Sequence, residues 1–152
     1  MRIAQTYIIQ ASPERVWAAL TEPALQKKWT GAHAEYDARV GGTYKLWDDY
    51  VSGEIVECVA PKKLAQTWKP ADWTIENSVV TFTLKKIRGG TQLDLVHENV
   101  QPEDYDSTRD GWKNFYVGAI KKSVEGEKRE TRTRTAKSVV RTSKSQRQRN
   151  KK

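Results

Sequence analysis

The sequence has few of the residues that build metal centres or crosslinks. Its 152 residues include one cysteine, Cys58, and two histidines, His33 and His97. A single cysteine excludes an internal disulfide and indicates a reducing compartment, so we expect a cytoplasmic protein. Metal sites usually draw on closely spaced sets of cysteine and histidine, which two distant histidines do not provide. We therefore predict no structural metal and no cofactor.

Long apolar runs are also missing. The first ten residues, MRIAQTYIIQ, lack the apolar stretch of a signal peptide. No later segment approaches the about 18 consecutive apolar residues of a transmembrane helix. A chain of this length can bury roughly two thirds of its unfolded surface in a single core. We therefore expect one domain and no transmembrane segment.

The sequence carries none of the short motifs that mark common active sites. Its two glycine pairs, Gly41-Gly42 and Gly89-Gly90, lie between strand-like runs and match neither phosphate-binding glycine pattern. His97 and Glu98 are neighbours in a predicted strand, where consecutive side chains face opposite sides of the sheet, so they do not form a catalytic pair. We assign no catalytic residue, and an enzyme of cyclase or hydrolase type is kept only as an alternative.

The positive charge is confined to one end of the chain. The formal net charge is +8 from 27 basic and 19 acidic residues. Residues 125–152 hold 11 basic and 3 acidic residues, which leaves 16 of each, and no net charge, in residues 1–124. That basic tail has no aromatic residue and too few apolar residues to offset the entropy of ordering it. We predict a folded domain over residues 1–124 and a disordered basic tail over residues 125–152.

The residues that are present predict a clear order of elements. IAQTYII reads as a strand, and two short helices follow, the first capped by Ser12 and the second opened by Thr21. Up to about residue 99, six segments alternate apolar and polar residues and are separated by turn signals. One long amphipathic helix then begins between Asp104 and Asp110. The sequence therefore predicts an α+β domain with an antiparallel sheet of about seven strands.

The last helix supplies the strongest candidate cover for one face of that sheet. Alternation in TQLDLVHE places Leu93, Leu95 and His97 on a common face, which points toward the helix. The helix presents its own apolar stripe at a spacing of three and four residues. That stripe consists of Trp112, Phe115, Tyr116, Ala119 and Ile120.

Five segments, taken together and in order, resemble a known family. They are SPERVWAALTEPALQKKW, VGGTY, GEIVECVAPKKLAQTW, GTQLDLVHE and DGWKNF, and the resemblance spans residue 3 to about residue 123. They are similar to the single-domain proteins related to the C-terminal domain of the activator of the Hsp90 ATPase, within the SRPBCC (START or Bet v 1-like) superfamily. The resemblance implies a helix-grip fold, in which a curved antiparallel sheet surrounds a long C-terminal helix and two short helices follow the first strand. The eukaryotic activator carries a further N-terminal domain that makes much of the chaperone contact, and no segment here corresponds to it.

The resemblance also implies an apolar cavity between the sheet and the long helix. Relatives use this cavity for lipids, steroids, polyketides and plant hormones. His97 could orient a polar group of a ligand there or act as a general base, although a lone histidine is more often a satisfied interior residue. The other aromatic positions could equally fill a core. The predicted cavity positions are Trp17, Trp29, Phe82, Leu93, Leu95, His97, Trp112, Phe115 and Tyr116.

Three classes of partner follow from these observations. The first is a small apolar ligand held in the cavity. The second is a chaperone or another protein, as in a co-chaperone or a stress-response interaction module. The third is weak, salt-sensitive association of the basic tail with nucleic acid or an anionic surface. Fold alone does not decide among them.

Overall fold

The computed structural model of the protein describes residues 1–126, so most of the predicted tail lies outside the described residues. The elements, in chain order, are strand β1 Ile3–Ile9, helices α1 Pro13–Thr21 and α2 Pro23–Thr30, and strands β2 Glu35–Tyr36, β3 Thr43–Leu46, β4 Val51–Val59, β5 Lys63–Thr67, β6 Lys69–Pro70, β7 Val79–Ile87 and β8 Gly90–Glu98. They end with a 3-10 turn Pro102–Asp104, helix α3 Tyr105–Gly111, a π-helical turn Trp112–Tyr116 and a last helical stretch over residues 117–126. We refer to residues 105–126 together as the C-terminal helix.

The described strands form an antiparallel sheet in the order β1-β8-β7-β5-β4-β3-β2, with the short strand β6 paired to β4. Between β7 and β8, Phe82 lies opposite Leu95 and Val80 lies opposite His97. These residues are buried, and the residues between them are less so, as the period of two predicts. The α+β helix-grip prediction is therefore confirmed, with β6 as an addition.

The two short helices begin where their caps allow. The Ser12 hydroxyl accepts a hydrogen bond from the Arg15 amide, 3.3 Å away, and Pro13 occupies the first helical position of α1. Thr21 does not open α2 as predicted. It is the last residue of α1 and donates its hydroxyl to the Trp17 carbonyl, so Glu22 takes the N-cap position of α2.

The C-terminal helix lies against the inner face of the sheet and along its edge. Ring centroids of Trp112 and Phe82 are 5.8 Å apart, and those of Tyr116 and Phe82 are 5.7 Å apart. Lys121 Nζ donates to the Ile8 carbonyl at 2.8 Å. That carbonyl belongs to the edge strand β1, so the helix also blocks part of an exposed backbone edge.

A π turn changes which side chains the C-terminal helix buries. The Val117 amide bonds to the Trp112 carbonyl, five residues earlier instead of four. The wider turn rotates Phe115 away from the sheet, and its side chain is 66% exposed, whereas Trp112 and Tyr116 are 2% and 1% exposed. The predicted stripe is corrected at this position, because a regular 3.6-residue repeat does not run through the turn.

None of the helices in residues 1–126 is long and apolar enough to cross a lipid bilayer.

Candidate functional site

A groove lies between the first half of the C-terminal helix and the part of the sheet formed by β4 and β6. Its volume is about 490 Å³, within the range typical of small-molecule pockets. Most of its wall is aromatic, and Asp104 is the one carboxylate among the described residues that line it. The lining residues are Trp47, Tyr50, Val51, Trp68, Pro70, Trp73, Asp104, Ser107, Thr108, Gly111, Trp112, Phe115 and Tyr116.

The inner wall of the groove is a cluster of rings in mutual contact. Trp68 and Trp112 have ring centroids 4.6 Å apart, and Trp112 and Tyr116 are also 4.6 Å apart. Trp68 and Tyr116 complete the triangle at 5.9 Å. Tilted rings at these distances attract one another beyond the effect of burial alone. The wall is therefore a continuous aromatic surface.

An unusual turn brings Trp47 to the groove. Strand β3 ends at Leu46, and Trp47, Asp48 and Asp49 all have positive φ angles of 52°, 54° and 72°. Non-glycine residues seldom adopt this left-handed conformation, and three in succession carry a cost. Two hydrogen bonds between Asp48 and the His33 backbone hold the turn, at 2.9 and 3.2 Å.

The same turn decides where the Trp47 ring goes. It stands edge-to-face with Trp29 at 5.9 Å and with Tyr116 at 5.7 Å. Alternation along an extended strand would instead have placed Trp47 on the face opposite Leu46. The strained turn therefore adds a further indole to the aromatic wall.

His97 lies beneath the groove in a fully enclosed setting. Its Nε2 lies 2.7 Å from the Ser78 hydroxyl, and its Nδ1 accepts a hydrogen bond from Trp112 Nε1 at 3.1 Å. An accepting Nδ1 requires that the proton of the neutral ring sits on Nε2, which then donates to Ser78. Trp73 stacks on the ring at 5.9 Å. Burial lowers the pKa of His97 to about 3, so the imidazole is neutral and both nitrogens are satisfied. This arrangement fits an interior histidine that orients Trp112.

A hydrogen-bonded chain of side chains ends at Tyr116. The Tyr36 hydroxyl donates to Gln66 Oε1, and Gln66 Nε2 donates to the Tyr116 hydroxyl at 3.4 Å. Burial raises the pKa of Tyr36 and of Tyr116, so both phenols keep their protons. The hydrogen bonds therefore all donate in one direction, from Tyr36 through Gln66 to Tyr116.

Of the nine predicted cavity positions, three line the groove and six do not. Trp112, Phe115 and Tyr116 line the groove. Trp17 is half-buried and packs against the core, whereas Trp29, Phe82, Leu93, Leu95 and His97 are buried within it. Contact of any of the nine with a ligand stays a prediction.

Three groove tryptophans were missed by the sequence reasoning. Trp68 follows strand β5, Trp73 lies in the loop after β6, and Trp47 occupies the left-handed turn. A signal was present at Trp47, because Asp48 and Asp49 tolerate the left-handed region better than most residues and mark the end of the strand. For Trp68 and Trp73 no local pattern indicates which elements they meet.

The described residues of the groove form no set of side chains suited to covalent or metal chemistry. In residues 1–126 no three His, Cys, Asp or Glu side chains come close enough to hold a metal ion. Burial raises the pKa of the Cys58 thiol, which disfavours the nucleophilic thiolate. What this arrangement offers is an apolar surface with a few polar groups, which can bind and orient a molecule.

Comparison with known proteins agrees with this architecture. Residues 10–125 match the family described as Activator of Hsp90 ATPase homolog 1-like protein. A curated mouse relative, Activator of 90 kDa heat shock protein ATPase homolog 1, is 31% identical over 114 residues, which are 74% of this chain and 33% of that protein. The chain thus spans about a third of the length of this relative.

Two solved structures align with this chain over nearly all of their own length. An HSP90 activator from Plasmodium falciparum aligns with a TM-score of 0.75 and 26% identity, over 83% of this chain and 96% of the other. A protein from Mesorhizobium loti aligns with a TM-score of 0.72 and 25% identity, over 82% and 97% of the two chains. On the family match over residues 10–125, the chain belongs to the Activator of Hsp90 ATPase homolog 1-like family.

Proposed function

We propose that this protein binds a small, largely apolar molecule in the groove between the C-terminal helix and strands β4 and β6. The observation that carries the proposal is the groove itself, about 490 Å³ in volume and walled by aromatic rings. Exposed aromatic surface of this kind is costly in water, and an apolar guest removes it from the solvent. Shape and ring stacking supply the affinity, and the few polar groups set the orientation.

One residue that lines the groove, Gly111, can be substituted to block it. Gly111 lines the groove, lies in the helical conformation, and a Cβ placed on it would meet no atom within 4 Å. A Cβ here meets open space, and we expect a larger side chain at this position to occupy part of the groove. Gly111 therefore allows the groove to be blocked while the core stays intact.

We expect Gly111→Phe to weaken binding of the flat hydrocarbon fluorene by at least about tenfold, because the new ring occupies the groove. Gly111→Ala is the matched control, since a methyl group leaves most of the space free. Binding is measured by the shift in melting temperature and by changes in the indole N–H resonances on titration with fluorene. Native mass spectrometry of gently purified protein tests for a retained molecule. If Gly111→Phe binds fluorene as tightly as the wild-type protein does, fluorene binds outside the groove.

A second candidate function, regulation of a chaperone, rests on the comparisons. The HSP90 activator from Plasmodium falciparum aligns over 96% of its own chain with this one, so a single domain of this kind carries that description. The partner in this case would be a protein and not a small molecule. The basic tail remains a further prediction for binding nucleic acid or an anionic surface, and most of it lies outside the described residues.

If the chain regulates Hsp90, adding it to purified eukaryotic Hsp90 should raise the rate of ATP hydrolysis in proportion to the complex formed. Bacterial Hsp90 tests whether the effect extends beyond the eukaryotic protein. An unrelated protein of equal positive charge controls for non-specific attraction. An unchanged ATPase rate with both chaperones, at concentrations where a pull-down is also negative, would remove this candidate.

A further inference from the structure

The aromatic groove extends to the protein surface, where two of its lining side chains face the solvent. Phe115 is 66% exposed and Tyr50 is 46% exposed, although both line the groove. Exposed aromatic surface is costly in water, and a segment that lies over it removes that cost. The mouth of the groove therefore offers an apolar surface that a polypeptide segment can cover.

Acidic residues predominate around the groove. Three segments of the chain contain every described residue that lines it, and together they hold six acidic and three basic residues, a net charge of −3. Those segments are residues 47–51, 68–73 and 104–116. Asp104 lines the groove, and Asp72 accepts a hydrogen bond of 2.8 Å from the Tyr50 hydroxyl. Partial burial, this hydrogen bond and the negative charges of Asp72 and Asp104 raise the pKa of Tyr50 to about 12. Both carboxylates therefore act at the edge of the groove that Tyr50 forms.

Two of the three basic residues in these segments are engaged by other groups. Arg109 pairs with Asp106 at 3.4 Å and with Asp110 at 3.1 Å, and Lys69 Nζ donates to the Trp73 carbonyl. No lysine or arginine is among the described residues that line the groove. Charge complementarity therefore favours a cationic occupant over an anionic one.

The chain itself contains a segment of matching chemistry. The three apolar residues of the basic tail are Ala136, Val139 and Val140, and all three lie in RTAKSVVRTSK, residues 134–144. This segment holds four basic residues and no acidic residue. Its valines suit an aromatic surface, and the lysines and arginines on both sides of them suit an acidic surround.

The groove lies within reach of this segment. Residue 126, at the end of the C-terminal helix, is 15 residues beyond Gly111. That separation is about 22 Å along a helix. Thirteen residues lead from residue 126 to Val139, and such a stretch spans up to about 45 Å when it is extended. The chain is therefore long enough to return to the groove of the same molecule.

The surface beside the end of the helix does not attract a cationic segment. The Glu125 carboxylate accepts a hydrogen bond from the Gln10 amide at 2.8 Å, and the neighbouring Ala11 shares a small pocket with Lys86. In this hairpin, residues 85–88 hold three basic residues and no acidic residue. Repulsion between like charges therefore favours the acidic groove over the hairpin as a docking surface for the tail.

We propose that residues 134–144 dock on the groove of their own chain, with Val139 and Val140 on the aromatic wall and the flanking cations at its acidic edge. A guest or partner of the groove then has to displace this segment. By linkage, a nucleic acid or an anionic surface that binds the tail would free the groove. The inference does not require a small-molecule guest, so it stands apart from the proposed ligand-binding function.

A spin label next to the segment tests the contact in the full-length protein. The variant combines Cys58→Ser with Ser145→Cys, and a nitroxide on the new thiol broadens the resonances of nearby nuclei. We expect broadening of the Tyr50 and Phe115 amide resonances and little at Gly89, in the basic hairpin. Raising the salt from about 50 mM to about 500 mM should reduce the broadening by at least about half, because salt screens exposed charges. Equal broadening at the groove and at the hairpin would overturn the proposal.

Substitution of the valines separates a specific contact from general attraction between charges. Val139→Ser combined with Val140→Ser leaves the charge of the tail unchanged and should reduce the broadening at the groove at least about threefold, because apolar burial is lost. Thr131→Ser combined with Thr133→Ser is the matched control outside the segment and should leave the broadening unchanged. Equal broadening in the two variants would contradict docking of the valines.

Neutral substitutions at the acidic edge test the other half of the contact. Asp49→Asn combined with Asp72→Asn should reduce the broadening about twofold to threefold, because each exposed ion pair contributes little alone. Asparagine tolerates the left-handed conformation of Asp49, so the turn is kept. Glu57→Gln combined with Asp94→Asn removes the same charge from strands β4 and β8, outside the groove lining, and should have a smaller effect. An equal effect of both pairs would show that only net charge matters and would overturn the proposal.

Two further measurements identify the occupant. Broadening in a mixture of isotope-labelled protein without nitroxide and unlabelled protein with it would assign the contact to a second copy and overturn docking within one chain. If saturating fluorene shifts the groove resonances and leaves the broadening unchanged, the tail lies outside the groove and the inference is wrong. If fluorene does not bind, the ligand-binding proposal fails, and the broadening alone decides whether the tail docks.

Discussion

Replacing Gly118 with alanine is expected to lower the free energy of unfolding by roughly 3 kcal/mol, the upper range for overpacking a structured site. A Cβ at this position would lie 1.8 Å from the carbonyl oxygen of Lys113. That oxygen is part of the π turn. A backbone atom cannot move away without distorting the helix, whereas a flexible side chain can change its conformation. The π turn must therefore distort, which also disturbs the packing of Trp112 and Tyr116. Urea denaturation followed by tryptophan fluorescence measures the loss.

Gly111→Ala provides the control for this substitution on the same helix. Its Cβ meets no neighbour, so the change should raise the free energy of unfolding by about 1 kcal/mol, the difference in helix propensity between glycine and alanine. The two glycines thus predict effects of opposite sign. Equal effects at both positions would show that the carbonyl of Lys113 does not crowd residue 118.

The stability of the protein should also fall by about 2 kcal/mol between pH 7 and pH 5 because of His97. Burial lowers the pKa of His97 to about 3 in the folded state, against an ordinary value of 6.5. As the pH falls below 6.5, His97 binds a proton in the unfolded chain but stays neutral in the folded protein. This difference favours unfolding. The loss continues until the pH reaches about 3, where the folded state is protonated as well. Urea titrations at pH 7, 6 and 5 measure the slope.

Two variants assign this pH dependence to its source. His97→Gln should be less stable at pH 7, but its stability should change little between pH 7 and pH 5. His33→Gln is the matched control, since the His33 side chain is 50% exposed on the surface and the change should leave most of the slope in place. A slope that persists in His97→Gln would contradict the buried neutral imidazole.

Much of the architecture followed from local patterns. The alternation in TQLDLVHE placed His97 on the face toward the helix, and it is buried there against Trp112. Ser12 caps α1 as its side-chain chemistry predicts. These features depend on residues close together in the sequence, so the period of the pattern and the cap residue are sufficient to predict them.

Local sequence patterns predict less about which residues line the groove. A 3.6-residue repeat throughout the helix predicts that Phe115 lies on the buried stripe, and the π turn breaks that repeat. Trp68 and Trp73 come from the segments around β6, and their meeting with Trp112 is a contact between distant parts of the chain. Period and propensity contain no information about such contacts.

The amino-acid sequence by itself determined the order of the elements, the neutral folded region with its basic tail, and the inward direction of His97, because each depends on neighbouring residues and on composition. Only the tertiary structure decided where space was left between the helix and the sheet. The strained turn at Trp47 and the π turn at Trp112–Tyr116 are set by how the elements pack together. Packing is a property of the whole fold, since each side chain fills the space that the others leave.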